Sequence, residues 1–277
     1  MSFSISKIPK QWKDSITIGF ALLAVAGTAL SISGNSLGSI IPNQKWWVLL
    51  LIAIGIYVVT IIATYLVISC LTRKGIKIKI NGITVAIKQG DLFEAEGWKV
   101  IPFKEYFDTD ADDITISKSS LNGKFLLNNV NDLKKIKKVI TADNISSLSQ
   151  PPAVASVGKQ AYTLGTIKRY DEYLLLAFAH FNDQKMAHLN QNDYELCLRN
   201  MWKEICRTYA NKPVNLPLLG ADITRFDDLQ EKSKFNLLKC MLCTLKTSGQ
   251  NINQPITILL TKEVMREINI YELKGVK

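Results

Sequence analysis

Two uncharged apolar runs near the N-terminus decide most of what this chain can fold into. Ser15 to Ser33 reads SITIGFALLAVAGTALSIS, nineteen residues without a charge, and Trp46 to Leu71 supplies twenty-six more. At about 1.5 Å per helical residue, each run matches the roughly 30 Å hydrocarbon core of a bilayer, the second with room to tilt. The Gly, Asn, Ser and Pro of the connection Gly34 to Lys45 break a helix, so the pair reads as an antiparallel hairpin, with Trp46 and Trp47 as an interfacial anchor. Lys7, Lys10 and Lys13 precede the first run, Arg73 and Lys74 follow the second, and only Lys45 lies between them. Because Lys and Arg accumulate on the cytoplasmic side, both termini are expected there. The competing reading of the first run is a cleaved signal peptide ending near Ser31, Ser33 and Gly34, but the second run would still anchor the chain. Gly27 with Ser31 and Ala24 with Thr28 have the four-residue spacing of small residues that lets helices approach closely, either between protomers of a homo-oligomer or within the hairpin.

The charge follows the same division. The chain carries a net +10, and half of it falls in the first 75 residues, where six basic residues face one acidic one. The remaining excess is spread thinly over some two hundred residues, which argues against a nucleic-acid surface. Five cysteines in no spaced framework favour a reducing compartment and no structural disulfide. We therefore divide the chain into a transmembrane hairpin, 1–75, and a cytoplasmic domain, 76–277.

From Gly75 onward the pattern switches to period two. Ile76, Ile78 and Ile80 alternate with lysines, Asn81-Gly82 marks a turn, and Ile83, Val85 and Ile87 alternate again, which predicts a β-hairpin. A strand is expected at Lys99 to Phe103, a polar helix near Asn131 to Ile140, and a Ser/Pro/Ala-rich loop around Ser146 to Gly158. Strands at Tyr162 to Arg169 and Tyr173 to Phe181 then precede a helix from about Asp193 to Tyr209. Strand Val214 to Leu219, helix Asp227 to Leu245, strand Ile256 to Leu260 and a helix from Lys262 to Ile268 follow. This alternation predicts an α/β domain with a mixed sheet flanked by helices, and a ligand crevice at the carboxyl ends of its strands.

Two stretches in this domain carry candidate chemistry. In Leu219-Gly220-Ala221-Asp222-Ile223-Thr224-Arg225 an apolar strand runs into a Gly-containing loop, whose N–H groups can cradle a phosphate while Arg225 adds a charged donor. An ordinary strand-to-helix turn is the plainer alternative. In Gly90-Asp91-Leu92 a strand ends in a carboxylate that can accept from an adenine amino group, although Asp after Gly is also a common turn.

Taken in order, these stretches make the domain resemble a macrodomain, the α/β module that binds ADP-ribose. Gly90-Asp91-Leu92 looks like the family's Gly-Asp-Ile element, and Pro217 to Thr224 looks like its diphosphate loop. Phe103-Lys104-Glu105-Tyr106-Phe107-Asp108-Thr109, Ser119-Ser120-Leu121-Asn122-Gly123-Lys124-Phe125 and Leu164-Gly165-Thr166 are similar to segments of the membrane-bound macrodomain effectors of Thoeris antiphage systems. The resemblance implies a multi-pass protein of the bacterial inner membrane, with no resident cofactor and an ADP-ribose derivative, in some systems joined to histidine, as its ligand. It implies a functional partnership with a TIR-domain enzyme that makes the signal from NAD, and an output on the lipid bilayer. Lys104, Asn122 and Gly123 join the expected contacts. Lys104 stands where many macrodomains carry an Asn used in hydrolysis, which counts against an ADP-ribosylhydrolase, and Asp222 stands where the diphosphate loop usually has a second Gly. A membrane-anchored hydrolase and a recruitment scaffold remain the alternatives.

Other polar features have plainer readings. His180 and His188 sit in no triad motif, and Cys240-Met-Leu-Cys243 falls within an apolar helical pattern, so a buried face is expected instead of a metal or redox site. Asp108 to Asp113 lacks the Gly and Glu of a calcium loop. Lys134, Lys135, Lys137 and Lys138 read as the wet face of a helix.

Overall fold

Asn81 and Gly82, at φ 49° and 80°, close a two-residue turn between β1 (Ile76–Ile80) and β2 (Ile83–Gln89). Positive φ at both positions matches the twist of the strands they join, which is why Asn-Gly is read there. The computed structural model describes residues 9–34, 37–42, 45–109, 116–142, 161–181, 187–208, 212–221, 225–226 and 233–275. The loop expected at Ser146 to Gly158 lies outside them.

The chain forms two compact units. One comprises residues 1–75 with Ile270–Gly275, and the other Ile76–Asn269 with the last two residues.

In the first unit, α1 (Lys10–Ile32) and α3 (Trp46–Thr72) are long and apolar enough to cross a membrane, with the single turn α2 (Leu37–Ile40) between them. They pack antiparallel through one face of α1. Gln11 Nε2 donates to the Tyr65 carbonyl at 3.3 Å, Trp12 stacks on Tyr65, and the Thr64 hydroxyl donates to the Ser15 carbonyl at 3.3 Å. Further along, Gly19 lies against Ile61 and Phe20 meets Tyr57 edge-on. Gly27, Thr28 and Ser31 take no part in this seam. They are exposed, the two hydroxyls bond back to carbonyls of their own helix, and nothing lies within 4 Å of a Cβ built on Gly27.

The second unit is a mixed sheet flanked by helices. β2 runs parallel to β9 (Ile256–Leu260), β9 to β7 (Val214–Pro217), β7 to β3 (Trp98–Lys104), and β3 to β5 (Tyr173–Phe181). β4 (Ile167–Tyr170) pairs antiparallel with β5, and the short β6 (Ala187–Leu189) and β8 (Arg225–Phe226) extend that edge. Strands buried on both faces read as continuous apolar runs, as β5 does from Leu174 through Ala177. α6 (Gln191–Thr208) and α7 (Lys234–Thr247) cover one part of the sheet, joined by Trp202 Nε1 donating to Thr244 Oγ1 at 3.1 Å. Leu237, Leu238, Met241, Leu242 and Leu245 form the buried face of α7, the helix that carries Cys240 and Cys243.

α4 (Leu121–Asn128) and α5 (Leu133–Thr141) start at Ser120 and Asp132, whose side chains accept from first-turn N–H groups. On α5 Ile136 and Ile140 face inward, while Lys134, Lys135, Lys137 and Lys138 are solvated, and Lys135 pairs with Asp171 at 2.7 Å. Phe125 of α4 is fully buried among Phe103, Tyr170 and Tyr173, with ring centroids 4.7–6.1 Å apart. Phe125→Ala should therefore cost about 3–5 kcal/mol of the stability of this unit, read as a shift of its denaturant midpoint.

Two sequence expectations shift. The strand read from Tyr162 begins only at Ile167, because Thr166 N–H closes a turn onto the Thr163 carbonyl at 3.0 Å. The helix read from Asp227 begins at Lys234, with strand β8 before it. The positive end of α7 therefore does not directly follow the Gly220 loop.

Candidate functional site

β2, β9, β7, β3 and β5 are parallel neighbours, so their chain exits lie along one edge of the sheet. β2 leads into Gly90, β7 into Leu218–Gly220, β3 into Glu105, and β5 ends at His180 and Phe181. β7 lies between β9 and β3, so the loop after it sits in the middle of the row. Asn215 fixes its approach: this side chain, 5% exposed, donates from Nδ2 to the carbonyls of Glu96 at 2.7 Å and Trp98 at 3.2 Å, tying β7 to the start of β3.

Gly90 donates its N–H to the Leu260 carbonyl at 3.2 Å, and a Cβ there would press on the Leu259 side chain. Asp91 is exposed, and its Oδ1 accepts the N–H of Phe93 at 2.9 Å, an Asx turn. Leu92 points the other way, into the core with Ile101, Phe103 and Phe125. After β7, Leu219 is buried, and its carbonyl accepts from the Tyr194 hydroxyl at 3.2 Å. Gly220 follows at φ 82°, and Ala221 N–H bonds back to the Leu218 carbonyl at 3.3 Å. Asp222, Ile223 and Thr224 lie outside the described residues, as do Asp110 to Asp113. Arg225 resumes at the start of β8, in register with His188.

Lys104 ends β3, and its carbonyl accepts from Phe107 N–H at 3.0 Å. Further along, the Ser120 hydroxyl donates to Asn122 Oδ1 at 2.6 Å and accepts from Gly123 N–H at 3.1 Å. A side chain on Gly123 would run into the Ser117 carbonyl, so this turn closes only with glycine. The Gly90, Lys104 and Gly220 positions are thus gathered on one strand edge, and Asn122-Gly123 opens the helix that packs on β3.

Local sequence patterns miss one cluster on the same edge. The β3–β5 register shifts after Phe103, where Ala177 is followed by Ala179 as the next partner, and this bulge sets Glu105 beside His180. His180 Nδ1 lies 2.8 Å from Glu105 Oε2, and its Nε2 lies 3.6 Å from Asp193 Oδ2. Asp193 is held at the start of α6 by Asn190, which accepts its N–H at 2.7 Å. The signal lies in tertiary register between segments 75 residues apart, with no local motif to report it.

The Glu105 hydrogen bond holds the His180 imidazole above its ordinary pKa against the opposing effect of burial, with the charges of Glu105 and Asp193 adding to the rise. A raised folded-state value stabilises fully below the unfolded value of about 6.5 and loses that contribution as pH rises through the folded value. The melting temperature should accordingly decline as pH rises above about 6.5. His180→Gln should flatten that decline, measured as melting curves of both proteins between acidic and alkaline buffers.

Comparison with known proteins matches the sequence that builds this site to a family. The model described as Thoeris protein ThsA, Macro domain, matches residues 85–261, which include the turns after β2, β3 and β7. Thoeris protein ThsA of Bacillus amyloliquefaciens (strain Y2) is 35% identical over 235 residues, covering 82% of this chain and 78% of that protein. With a mixed sheet flanked by helices behind two long apolar helices, the chain belongs to the Thoeris ThsA macro-domain family.

Proposed function

We propose that this chain is a membrane-tethered receptor of antiphage defence, whose macro domain takes an ADP-ribose-derived signal and whose helices turn binding into membrane disruption and growth arrest. The observation that carries this reading is the family match over residues 85–261, the stretch in which the turns after β2, β3 and β7 converge on one strand edge. Asp91 has one oxygen engaged by Phe93 N–H, and its other oxygen is assigned to an adenine amino group. The turn at Leu219-Gly220-Ala221 is assigned to the diphosphate, together with Asp222, Ile223, Thr224 and Arg225 of the same stretch of sequence. Lys104, Asn122 and Gly123 are assigned to the remainder of the ligand.

Residues 1–75 form the transmembrane hairpin with both termini in the cytoplasm, and 76–277 the cytoplasmic domain. The face of Gly27, Thr28 and Ser31, unused within the hairpin, is assigned to contacts between protomers of a homo-oligomer. The signal, histidine-linked ADP-ribose among the candidates, comes from a TIR-domain enzyme that consumes NAD. The protein acts as a sensor and not a hydrolase, because Lys104 replaces the Asn on which hydrolysis depends in many macrodomains.

Titration calorimetry of the full chain in lipid nanodiscs with ADP-ribose and its histidine-linked derivative tests the reading. Saturable binding without turnover is expected. Release of free ADP-ribose from an ADP-ribosylated substrate would install the hydrolase reading instead, and no binding of either compound would sink both.

A further inference from the structure

The first apolar helix begins without a cap of its own. Pro9 has neither an N–H nor a polar side chain, and the first turn of α1 contains no acidic residue. The opening N–H groups of a helix lack partners within it and carry the positive end of its dipole. Here a side chain 262 residues along the chain meets both needs. Glu272 Oε2 accepts the N–H of Lys10 at 2.8 Å, and Oε1 accepts that of Gln11 at 3.1 Å. One residue earlier, the Tyr271 hydroxyl donates to Asp14 Oδ2 at 2.8 Å, and the Lys274 ammonium sits 4.5 Å above the Tyr271 ring. Burial pushes the Tyr271 phenol up to about 12, with Asp14 adding to the rise, so it stays a donor at neutral pH. The turn of α1 gripped in this way also holds α3, through Gln11 and Trp12 on Tyr65.

We propose that the 3-10 turn Ile270–Gly275 is a latch that clamps the start of α1, keeps the hairpin in its resting arrangement, and lets go when the macro-domain crevice fills. The release step rests on the receptor reading above; the clamp does not. The route is short and mostly helical. Gly90, which opens the Asp91 turn, donates its N–H to the carbonyl of Leu260, the last residue of β9. From Leu260 the chain passes through Thr261, which caps α8 (Lys262–Glu267) with its side chain, and reaches Ile270 nine residues later. A shift of the Gly90 turn on ligand binding therefore acts on the strand end from which the latch hangs. A ligand that binds better when the latch is released moves the hairpin equilibrium by that difference in affinity.

Amide hydrogen exchange of the full chain in nanodiscs tests both halves. Glu272→Ala should speed exchange at Lys10 and Gln11 at least tenfold while leaving the macro-domain melting temperature unchanged. Tyr271→Phe, which removes only a hydroxyl, should give a smaller change in the same peptide. Glu272→Gln, which keeps an acceptor but not the charge, should fall between wild type and Glu272→Ala. Saturating ADP-ribose should raise exchange in wild type to the level of Glu272→Ala and leave that variant where it was. Unchanged exchange in both Glu272→Ala and Tyr271→Phe overturns the clamp. Unchanged wild-type exchange under calorimetrically proven saturation overturns the release step alone, and absence of ADP-ribose binding removes that step together with the receptor reading.

Discussion

Gly220→Glu is expected to weaken binding of ADP-ribose at least about a hundredfold, which corresponds to roughly 2.7 kcal/mol. Two effects add. Gly220 sits at φ 82°, where a residue with a Cβ is strained by roughly 1–2 kcal/mol. A carboxylate held about 4 Å from a phosphate charge is repelled by about 4 kcal/mol at the effective dielectric of a protein surface. Gly220→Ala separates these effects, because it carries the strain without the charge, and should lose only about tenfold. Calorimetry of the two variants beside wild type, with melting temperatures as a check on folding, supplies the comparison. Equal affinity of Gly220→Glu and wild type would remove the diphosphate from this loop. Equal loss in both variants would assign the effect to backbone geometry alone.

What the sequence made legible here is what local chemistry determines. The Asn81-Gly82 turn, the alternation on either side of it and the apolar run of β5 each depend on residues within a few positions, and each stands where the pattern put it. The two apolar runs near the N-terminus are of the same kind. The reading slips where a distant partner decides. Arg225 and Phe226 are strand only because β6 is there to pair with them, and no local preference records that. Leu92 belongs to a motif that points to ligand, yet in the turn that follows β2 its side chain packs into the core beside an exposed Asp91. The Glu105–His180 pair needs a one-residue bulge between parallel strands, and a one-residue slip exchanges the two faces of a strand. The docking of Glu272 on α1 is the extreme case, since a lone Glu near the chain end carries no sign of the helix it caps. The motif order thus led to the right family, while the interactions linking distant segments had to come from tertiary structure.

A chain reduced to residues 76–269 should keep ligand binding and lose every membrane effect. All nine strands among the described residues and the helices that cover them lie within these bounds, and so does the buried cluster around Phe125. Its affinity for ADP-ribose should be at least that of the full chain, because no residue assigned to the ligand is removed and the latch that binding must release is gone. Ending the variant at Asn269 matters. Ile270, Tyr271 and Leu273 are 3%, 8% and 0% exposed, and their turn belongs to the unit being deleted. A 76–277 variant would offer these side chains to water, at about 25 cal/mol for each Å² of apolar surface, and should be the less soluble of the two. Without the two apolar helices neither variant partitions into lipid, so liposome leakage and growth arrest should both vanish. The 76–269 form should also act as a decoy: expressed in excess beside the full chain, it should take up the proposed signal without producing an output and blunt the proposed arrest. Growth arrest caused by 76–269 alone would move the output from the helices to the macro domain and sink the receptor-and-effector division of labour.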